Sequence, residues 1–557
     1  MPIQLTTVQG EELLRSGEAA WQVYPRPQLQ RDSYVNLNGT WELKVEGETY
    51  EIQVPFCPES LLSGVQKHFS EGATLEYRRF FTLPADFNKG RVLLHIGAAD
   101  QTAKIYVNQV LLDTHIGGYD AFTVDITPAL REENELVIRC TDDLHNQTQP
   151  YGKQVLPEKR GGMWYTPISG IWQTVWLESV PESYIQQLRI DNRGYRVEIS
   201  TTPALTGVVT VPGLGVYPLK EGYAVIDPEN PHLWTPEDPY LYNFTIETAQ
   251  DKVRSYCAFR SLEVIDNRLC LNGKPYFFHG LLDQGYWPDG LYTPASPECY
   301  VEDIMAMKRL GFNMLRKHIK VEPEEFYYQC DRLGMIVFQD MVNNGDYSFL
   351  RDTGLPTIGI QRLPDKNLHR DRKTRREFLR QAGRIVNQLQ NHPCICYWTI
   401  FNEGWGQFDS DRVYTQFLKL DNTRFIDSTS GWFRRNKSDV DSRHVYFKPI
   451  KLKQGKKPLV LSEFGGYSFK PEGHVFNTES TYGYGKYTDQ TAFAEAVRKL
   501  YEEQVIPAMR ENGLCAAVYT QVSDIEDETN GILTYDRKVC KLNAELMLPI
   551  AEKLKNN

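Results

Sequence analysis

The sequence contains no hydrophobic run that approaches the ~20 residues of a membrane-spanning helix, so no membrane span is predicted. It also lacks an excess of positive charge. Its 62 lysines and arginines against 72 acidic residues leave a net charge of -10, which argues against nucleic acid or an anionic membrane surface as a partner. Ten cysteines are present, but none forms a CxxC pair or a cysteine–histidine cluster with zinc spacing. They are therefore predicted to be small, reduced core residues.

The amino terminus has neither the basic start nor the apolar segment of a secretory signal peptide. Together with the scattered cysteines, this predicts a cytoplasmic protein. A secreted protein whose signal peptide had been removed would show the same pattern.

Length and residue pattern divide the chain into three predicted domains. At 557 residues the chain is too long for a single hydrophobic core. Residues 1–180 alternate short apolar strands with Gly, Asn, Asp and Pro turns, which predicts a β-sandwich. Residues 181–262 continue in strands and fit a small immunoglobulin-like sandwich. In residues 263–557 helical patterns alternate with eight short apolar strands, which predicts a (β/α)8 TIM barrel.

Two segments of the predicted barrel stand out by their pattern. Residues 373–389 carry an apolar stripe at helical spacing and predict a long amphipathic helix. Residues 343–371 lack periodicity and are long for a barrel loop, so we expect them to fold over the active-site face, with disorder as the alternative.

Two glutamates follow apolar strands of the predicted barrel. Glu403 comes after the run 395–401, with Asn402 directly before it, and Glu463 comes after the run 459–462. Functional residues of a TIM barrel lie at the carboxyl ends of its strands, so the two carboxylates are expected on one face. Paired carboxylates are typical of a retaining glycosidase, in which they lie about 5–5.5 Å apart.

The order of several motifs resembles glycoside hydrolase family 2, which contains β-galactosidases, β-glucuronidases and β-mannosidases. These motifs occupy residues 77–84, 95–100, 106–108, 169–178, 233–242 and 271–275. The resemblance implies a jelly-roll sandwich, an immunoglobulin-like sandwich and a catalytic barrel. It further implies that Glu403 is the general acid/base after the fourth barrel strand and that Glu463 is the nucleophile after the seventh.

The resemblance also implies roles for residues around the two glutamates. Asn402 would donate to the sugar 2-hydroxyl, Arg316 would support the nucleophile, and Tyr446 would donate a hydrogen bond to it. His318 is carried over as well, although segment 313–320 is one residue shorter than the family pattern. The ring of Trp405 would help to raise the pKa of the acid.

Four further residues at predicted strand ends are candidates for sugar binding. Asp283 and Trp287 follow the first barrel strand, Asp340 ends the third, and Trp432 follows the fifth. Carboxylates can accept hydrogen bonds from sugar hydroxyls, and indole rings can stack on sugar faces. An ordinary structural role is the open alternative for each of them.

The leading expectation for the substrate is an oligosaccharide or glycoside with a terminal β-galactosyl unit; mannoside, arabinoside, glucoside and glucuronide are the alternatives. Glucuronidases of the family carry an Asn-x-Lys motif after the nucleophile. None follows Glu463 here, and four acids in residues 521–530 would repel a uronate. Residues 340–346 do not reproduce the metal-ligand pair of the large family β-galactosidases, so neither a metal nor another cofactor is expected.

The alternative class of function is a non-catalytic carbohydrate-binding protein built on the same frame. The presence of both carboxylates disfavours it. The resemblance also allows a homo-oligomer, which no residue pattern here indicates.

Overall fold

The computed structural model describes residues 2–360 and 364–555, and its first domain is a β-sandwich preceded by helix α1 (Val8–Ser16). The strands of this domain are β1 (Tyr34–Asn36), β2 (Gly39–Val45), β3 (Glu48–Val54), β4 (Thr74–Phe81), β5 (Arg91–Ile96), β6 (Ala99–Asp100), β7 (Thr102–Val107), β8 (Val110–Ile116), β9 (Phe122–Asp125), β10 (Asn134–Thr141), β11 (Gly170–Ile171) and β12 (Val175–Val180). A sheet of order β1-β12-β5-β9 packs on a sheet of order β3-β2-β4-β10-β7-β8 around one apolar core. Buried and accessible residues alternate along β2, as a strand with one face in a core requires.

The second domain is a smaller sandwich of seven strands. They are β13 (Gln187–Arg193), β14 (Arg196–Thr202), β15 (Gly207–Val211), β16 (Gly215–Leu219), β17 (Tyr223–Ile226), β18 (Tyr242–Thr248) and β19 (Lys252–Cys257). Sheets β13-β14-β17 and β16-β15-β18-β19 share their own core. Arg260 fixes this domain to the barrel, since its guanidinium donates to the carbonyls of Pro393 at 2.6 Å and Ile395 at 2.8 Å.

The third domain begins with a small antiparallel sheet and continues as a parallel barrel. Its strands are β20 (Leu262–Ile265), β21 (Arg268–Leu271), β22 (Lys274–Pro275), β23 (Phe278–Asp283), β24 (Met314–Lys317), β25 (Ile336–Asp340), β26 (Ile395–Asn402), β27 (Phe425–Ser430), β28 (Asp441–Val445), β29 (Leu459–Gly465), β30 (Tyr467–Phe469), β31 (Gly485–Tyr487) and β32 (Leu514–Thr520). Eight of them follow one another in the order β27-β26-β25-β24-β23-β32-β29-β28, all parallel, so the ladder is continuous except between β27 and β28. Each predicted barrel strand overlaps an observed one. The predicted fold class is confirmed.

Helices of the third domain cover the outside of the barrel, except for a short helix in segment 343–371. They are α2 (Glu298–Arg309), α3 (Glu324–Leu333), α4 (Leu355–Thr357), α5 (Arg372–Leu389), α6 (Ser410–Leu420), α7 (Gln490–Leu500), α8 (Ile506–Asn512) and α9 (Ala544–Lys555). The predicted amphipathic helix is α5, whose apolar stripe is buried and whose first turn is capped by Asp371. Within residues 2–360 and 364–555, no helix has both the length and the hydrophobicity that crossing a membrane demands.

The first sandwich also reaches the carboxyl end of the barrel. In its segment 147–168, the backbone N–H of Tyr151 donates to the carbonyl of Asn343 at 3.1 Å, just after β25. Further along, Arg160 forms an ion pair with Glu526 at 3.0 Å, beyond β32. The barrel face on which the strands end is therefore lined by two domains.

Candidate active site

Glu403 and Glu463 both lie at the carboxyl end of the barrel. Glu463 is part of β29, and Glu403 directly follows β26 with a left-handed φ of 51°. Its backbone N–H donates to the carbonyl of Ser430 at 2.9 Å, which holds this unusual conformation. The next residue must be glycine, because a Cβ at Gly404 would lie 2.3 Å from the ring of Phe433.

His444 bridges the two glutamates. Its Nδ1 lies 2.8 Å from Oε1 of Glu403 and 3.5 Å from Oε2 of Glu463, and one oxygen of each glutamate lies within 4.8 Å of the other. The Nε2 of His444 lies 2.9 Å from the hydroxyl of Ser430. Ser430 donates its own hydroxyl proton to Ser462 at 3.0 Å. This histidine was not among the predicted site residues. Its position two residues before Tyr446, on the same face of an extended strand, was the available signal.

Donors surround the carboxylate of Glu463. Arg316 Nη1 lies 3.1 Å from its Oε1, and the hydroxyl of Tyr446 donates to its Oε2 at 2.7 Å. Burial alone would raise the pKa of Glu463. The charges of His444 and Arg316, together with the hydrogen bond from Tyr446, outweigh burial and hold this pKa below its usual value. The surroundings therefore keep Glu463 ionised.

Glu403 has the opposite environment. Burial raises its pKa, the negative charge of Glu463 raises it further, and the hydrogen bond to His444 opposes both effects only in part. Two neighbouring carboxyl groups whose pKa values are pushed apart form an acid and an anion at the same pH. The surroundings thus favour the protonated form of Glu403 and the ionised form of Glu463.

Arg316 links the surroundings of Glu463 to those of Glu403. Its Nε donates to Oδ1 of Asp340 at 3.0 Å, and its Nη2 donates to Oδ1 of Asn402 at 2.9 Å. The second contact orients the amide of Asn402, whose Nδ2 has no partner among the described residues and is left to donate to a ligand. Asp340 also pairs its Oδ2 with Nδ1 of His318 at 2.8 Å, so both oxygens of Asp340 hold neighbours in position. Burial lowers the pKa of His318 to about 4, so this ring is neutral at pH 7.

The structure does not bring the two candidates after the first barrel strand to the glutamates. Asp283 forms an ion pair with Lys317 at 2.6 Å. The ring of Trp287 packs on Arg537 and Tyr300 and is only 2% exposed, so it offers no face to a sugar. Its loop turns back on itself through a backbone bridge to Leu291, which directs the ring into the core. The expectation of sugar stacking on Trp287 is corrected accordingly.

Aromatic rings from four segments enclose the Glu403 side of the site. Trp405 stacks on Trp164 with centroids 5.3 Å apart and meets Tyr347 edge-on at 5.6 Å. Trp432 packs edge-on against His444 at 5.4 Å. Its Nε1 donates to the carbonyl of Asp352 at 3.2 Å.

The enclosing rings come partly from places that the sequence did not indicate. Trp164 belongs to the first sandwich and was missed, because no local pattern shows that a sandwich loop reaches the barrel. Tyr347 and Asp352 belong to segment 343–371, which was expected to fold over this face. Their contacts lie on it, while residues 361–363 of that segment lie outside the described residues.

Comparisons with known proteins agree with this architecture. Over 439 residues the chain is 25% identical to a β-galactosidase of Thermoanaerobacter pseudethanolicus, covering 72% of this chain and 54% of that protein. It is 25% identical over 345 residues to a putative β-glucuronidase of Formosa agariphila, covering 56% of this chain and 37% of the other. The chain thus spans about half or less of the length of these relatives. A solved β-D-glucuronidase structure from Dictyoglomus thermophilum superposes with a TM-score of 0.74 at 18% identity, covering 96% and 99% of the two chains, which shows the shared fold.

Family patterns match the two carboxyl-terminal domains. Residues 181–260 match Glycosyl hydrolases family 2, and residues 262–544 match Glycosyl hydrolases family 2, TIM barrel domain. The second match alone covers half of the chain and contains both glutamates. The resemblance found in the sequence is confirmed, and the chain belongs to glycosyl hydrolases family 2.

Proposed function

We propose that the chain is a retaining, exo-acting β-glycosidase in which Glu463 is the nucleophile and Glu403 the general acid/base. One observation carries this proposal. The two carboxyl groups approach within 4.8 Å, and their surroundings shift their pKa values in opposite directions. Retaining enzymes need this short separation, whereas inverting enzymes leave room of about 6.5–9.5 Å for a water molecule.

In the first step, the carboxylate of Glu463 attacks the anomeric carbon as Glu403 gives its proton to the glycosidic oxygen. The bond to the leaving group breaks, and a covalent glycosyl ester forms on Glu463. In the second step, Glu403 takes a proton from water, and the resulting hydroxide displaces Glu463. Two inversions at the same carbon return the sugar with its original β configuration. Asn402 would donate its free amide N–H to the 2-hydroxyl, a contact that strengthens in the transition state.

Enclosure of the site supports action at chain ends. Trp164 and Trp405 stack across the acid side, and the loop that carries Tyr347 closes against them. A pocket closed in this way accepts a terminal sugar more readily than the middle of a polysaccharide. β-Galactosides, the sequence-based prediction, and β-glucuronides are the substrates to test first, because the relatives carry both names.

The test is a panel of aryl β-glycosides assayed with the wild type, Glu403→Gln and Glu463→Gln. Proton NMR identifies the anomer released first, and a 2-fluoro-sugar with a good leaving group should label Glu463. Release of the α anomer, or labelling of another residue, overturns the mechanism. A wild type that turns over no aryl glycoside and no oligosaccharide, yet binds sugars, supports the carbohydrate-binding alternative.

A further inference from the structure

One largely buried lysine at the active-site face has no ion-pair partner among the described residues. Lys153 lies in the segment of the first sandwich that reaches the barrel and is 7% exposed. Its ammonium forms no hydrogen bond or ion pair with any residue in the described part of the chain. It lies instead 5.5 Å from the ring centroid of Tyr165 and 6.0 Å from that of Trp405, two residues after the proposed acid.

The other buried lysines behave differently. Three more lysines are at least as deeply buried among the described residues, and each ammonium contacts a carboxylate. The pairs are Lys317 with Asp283 at 2.6 Å, Lys320 with Glu322 at 2.9 Å, and Lys541 with Asp524 at 2.6 Å. Placing an ammonium on a largely buried side chain without a partner is unfavourable, and the fold avoids this at the other three positions. Lys153 is the exception, and its ammonium lies near the proposed catalytic residues. A ligand bound there can supply the negative charge that Lys153 lacks.

The backbone around Lys153 is built to hold it in place. The backbone N–H of Tyr165 donates to the carbonyl of Lys153 at 3.2 Å, and the side chain of Gln154 donates to the hydroxyl of Tyr119 at 3.0 Å. Gly152 has a left-handed φ of 65°, and a Cβ there would lie 2.9 Å from the same hydroxyl. This segment is therefore fixed rather than free to carry the ammonium into solvent.

The proposed reaction makes an uncompensated cation unfavourable at this position. Positive charge develops on the sugar in the transition state, and a nearby ammonium opposes it. The charge of Lys153 also acts to lower the pKa of Glu403, which must stay protonated to serve as the acid. A negative group on the bound sugar would remove both penalties. Two further donors on the same side of the site, Nδ2 of Asn402 and Nε1 of Trp405, have no hydrogen-bond acceptor among the described residues.

We infer that Lys153 binds the carboxylate of a β-linked uronic acid, so that the substrate of this site is a β-uronide. The inference rests on the proposed glycosidase function and adds the substrate class and the residue that selects it. Uronide recognition would then come from Lys153 of the first sandwich, rather than from the lysine of an Asn-x-Lys motif after the nucleophile.

The acids that argued against a uronide are already engaged. Glu526 pairs with Arg160 at 3.0 Å, and Asp524 pairs with Lys541 at 2.6 Å. Glu528 accepts from Tyr165 and from Asn530, and Asp527 accepts from Asn477 at 2.9 Å. Carboxylates held by donors in this way repel an incoming anion less than free ones would. The expected repulsion of a uronate is thus reduced by contacts that only the tertiary structure reveals.

The test compares p-nitrophenyl β-D-glucuronide and β-D-galacturonide with the matching glucoside and galactoside. The variants of the full chain are Lys153→Met, Lys153→Arg and Lys159→Met, a matched control on an exposed lysine of the same segment. We expect the wild type to prefer a uronide, and Lys153→Met to lose about 10- to 150-fold in kcat/KM on it, the range of one hydrogen bond to a charged group. For the hexosides, kcat/KM of Lys153→Met should differ from the wild type by less than about threefold. Lys153→Arg should retain part of the uronide activity. Lys159→Met should match the wild type on every substrate.

Two further measurements separate this inference from its alternatives. Thermal unfolding of Lys153→Met should occur at the same or a higher temperature, because an unpaired buried charge is removed; a structural lysine would give the opposite result. Calorimetric binding of glucuronate and galacturonate against glucose and galactose tests the site without turnover, so failure of the glycosidase mechanism does not conceal the answer.

Three outcomes overturn the inference. The first is equal loss on uronides and hexosides in Lys153→Met, which indicates a structural role. The second is a wild type that neither cleaves nor binds uronic acids better than the neutral sugars. The third is a preference for a 6-sulfated galactoside over the uronides that Lys153→Met abolishes, which keeps Lys153 as an anion site but rejects the carboxylate.

Discussion

The two glutamates lie in halves of the site that are built differently. Around Glu463, Arg316 and Tyr446 supply donors from two barrel segments, and together with His444 they favour the ionised form. Around Glu403, a single histidine donates, while burial and the charge of Glu463 favour the protonated form. Fixed donors therefore stabilise the charge of Glu463, whereas burial and charge repulsion favour the neutral form of Glu403.

Under the proposed mechanism, the same contrast explains how Glu403 can serve both steps. Glu463 loses its negative charge when it becomes a glycosyl ester, and that charge is the second largest cause of the raised pKa of Glu403. The pKa of Glu403 must therefore fall once the intermediate has formed. Glu403 would thus act as an acid in the first step and as a base in the second.

The largest effect is expected on the nucleophile half. Glu463→Gln removes the only group that can form the ester, so kcat on aryl β-glycosides should fall by about 10⁴-fold or more. Glu472→Gln, at an exposed position nearby in the chain, is the matched control and should leave kcat unchanged. A Glu463→Gln variant that kept a sizeable part of the wild-type activity would contradict the assignment of Glu463 as the nucleophile.

The acid half should respond in a way that depends on the substrate. In Glu403→Gln, kcat should fall by about 10²- to 10⁴-fold for glycosides with poor leaving groups. The loss should shrink for nitrophenyl leaving groups, which depart without a proton. The measurement is a plot of log kcat/KM against the pKa of the leaving phenol. A loss of equal size across the series would contradict the assignment of Glu403 as the acid.

Arg316 tests whether donors set the ionised state of Glu463. Arg316→Met removes the ion pair, so the pKa of Glu463 should rise and the acidic limb of the pH profile of kcat/KM should move to higher pH. At the optimum, kcat/KM should fall by about 10- to 100-fold, since several hydrogen bonds to charged groups are lost together. The control is Arg332→Met on the exposed side of α3, which should leave the profile in place. An unchanged acidic limb in Arg316→Met would show that Arg316 does not control the charge.

The smallest effect is expected for Tyr446→Phe, which removes a single hydrogen bond to Glu463. The acidic limb should move in the same direction as in Arg316→Met but by less, and kcat/KM should fall by about 10-fold. The basic limb, which reports Glu403, should stay where it is. A shift of the basic limb alone would place Tyr446 in the acid half and reverse its assignment.

Features encoded by short runs of residues were predictable from the sequence. Helix α5 appears over Arg372–Leu389 against a predicted 373–389, because its apolar stripe repeats at helical spacing. Buried apolar runs predicted the barrel strands, with boundaries that differ by a few residues. The hydrogen bond from Tyr446 to Glu463 is present as the family pattern implied.

Features that join distant segments were not predictable. Lys153 and Trp164 lie in a loop without periodicity, about 240 residues before the barrel residues that they meet. His444 resembled an ordinary strand residue until β28 placed it between two carboxylates. Trp287 followed the first barrel strand as a sugar-stacking residue would, but its loop turned the ring into the core.

The sequence by itself determined the family, the fold class and the pair of strand-end glutamates, because each is written in local patterns of apolar residues, turns and motifs. Only the tertiary structure decided how those glutamates differ and what surrounds them. The pKa of a carboxyl group depends on burial and on charges brought near by folding, and the first sandwich reaches the active site only through packing between domains. The unpaired ammonium of Lys153 is the clearest product of that packing.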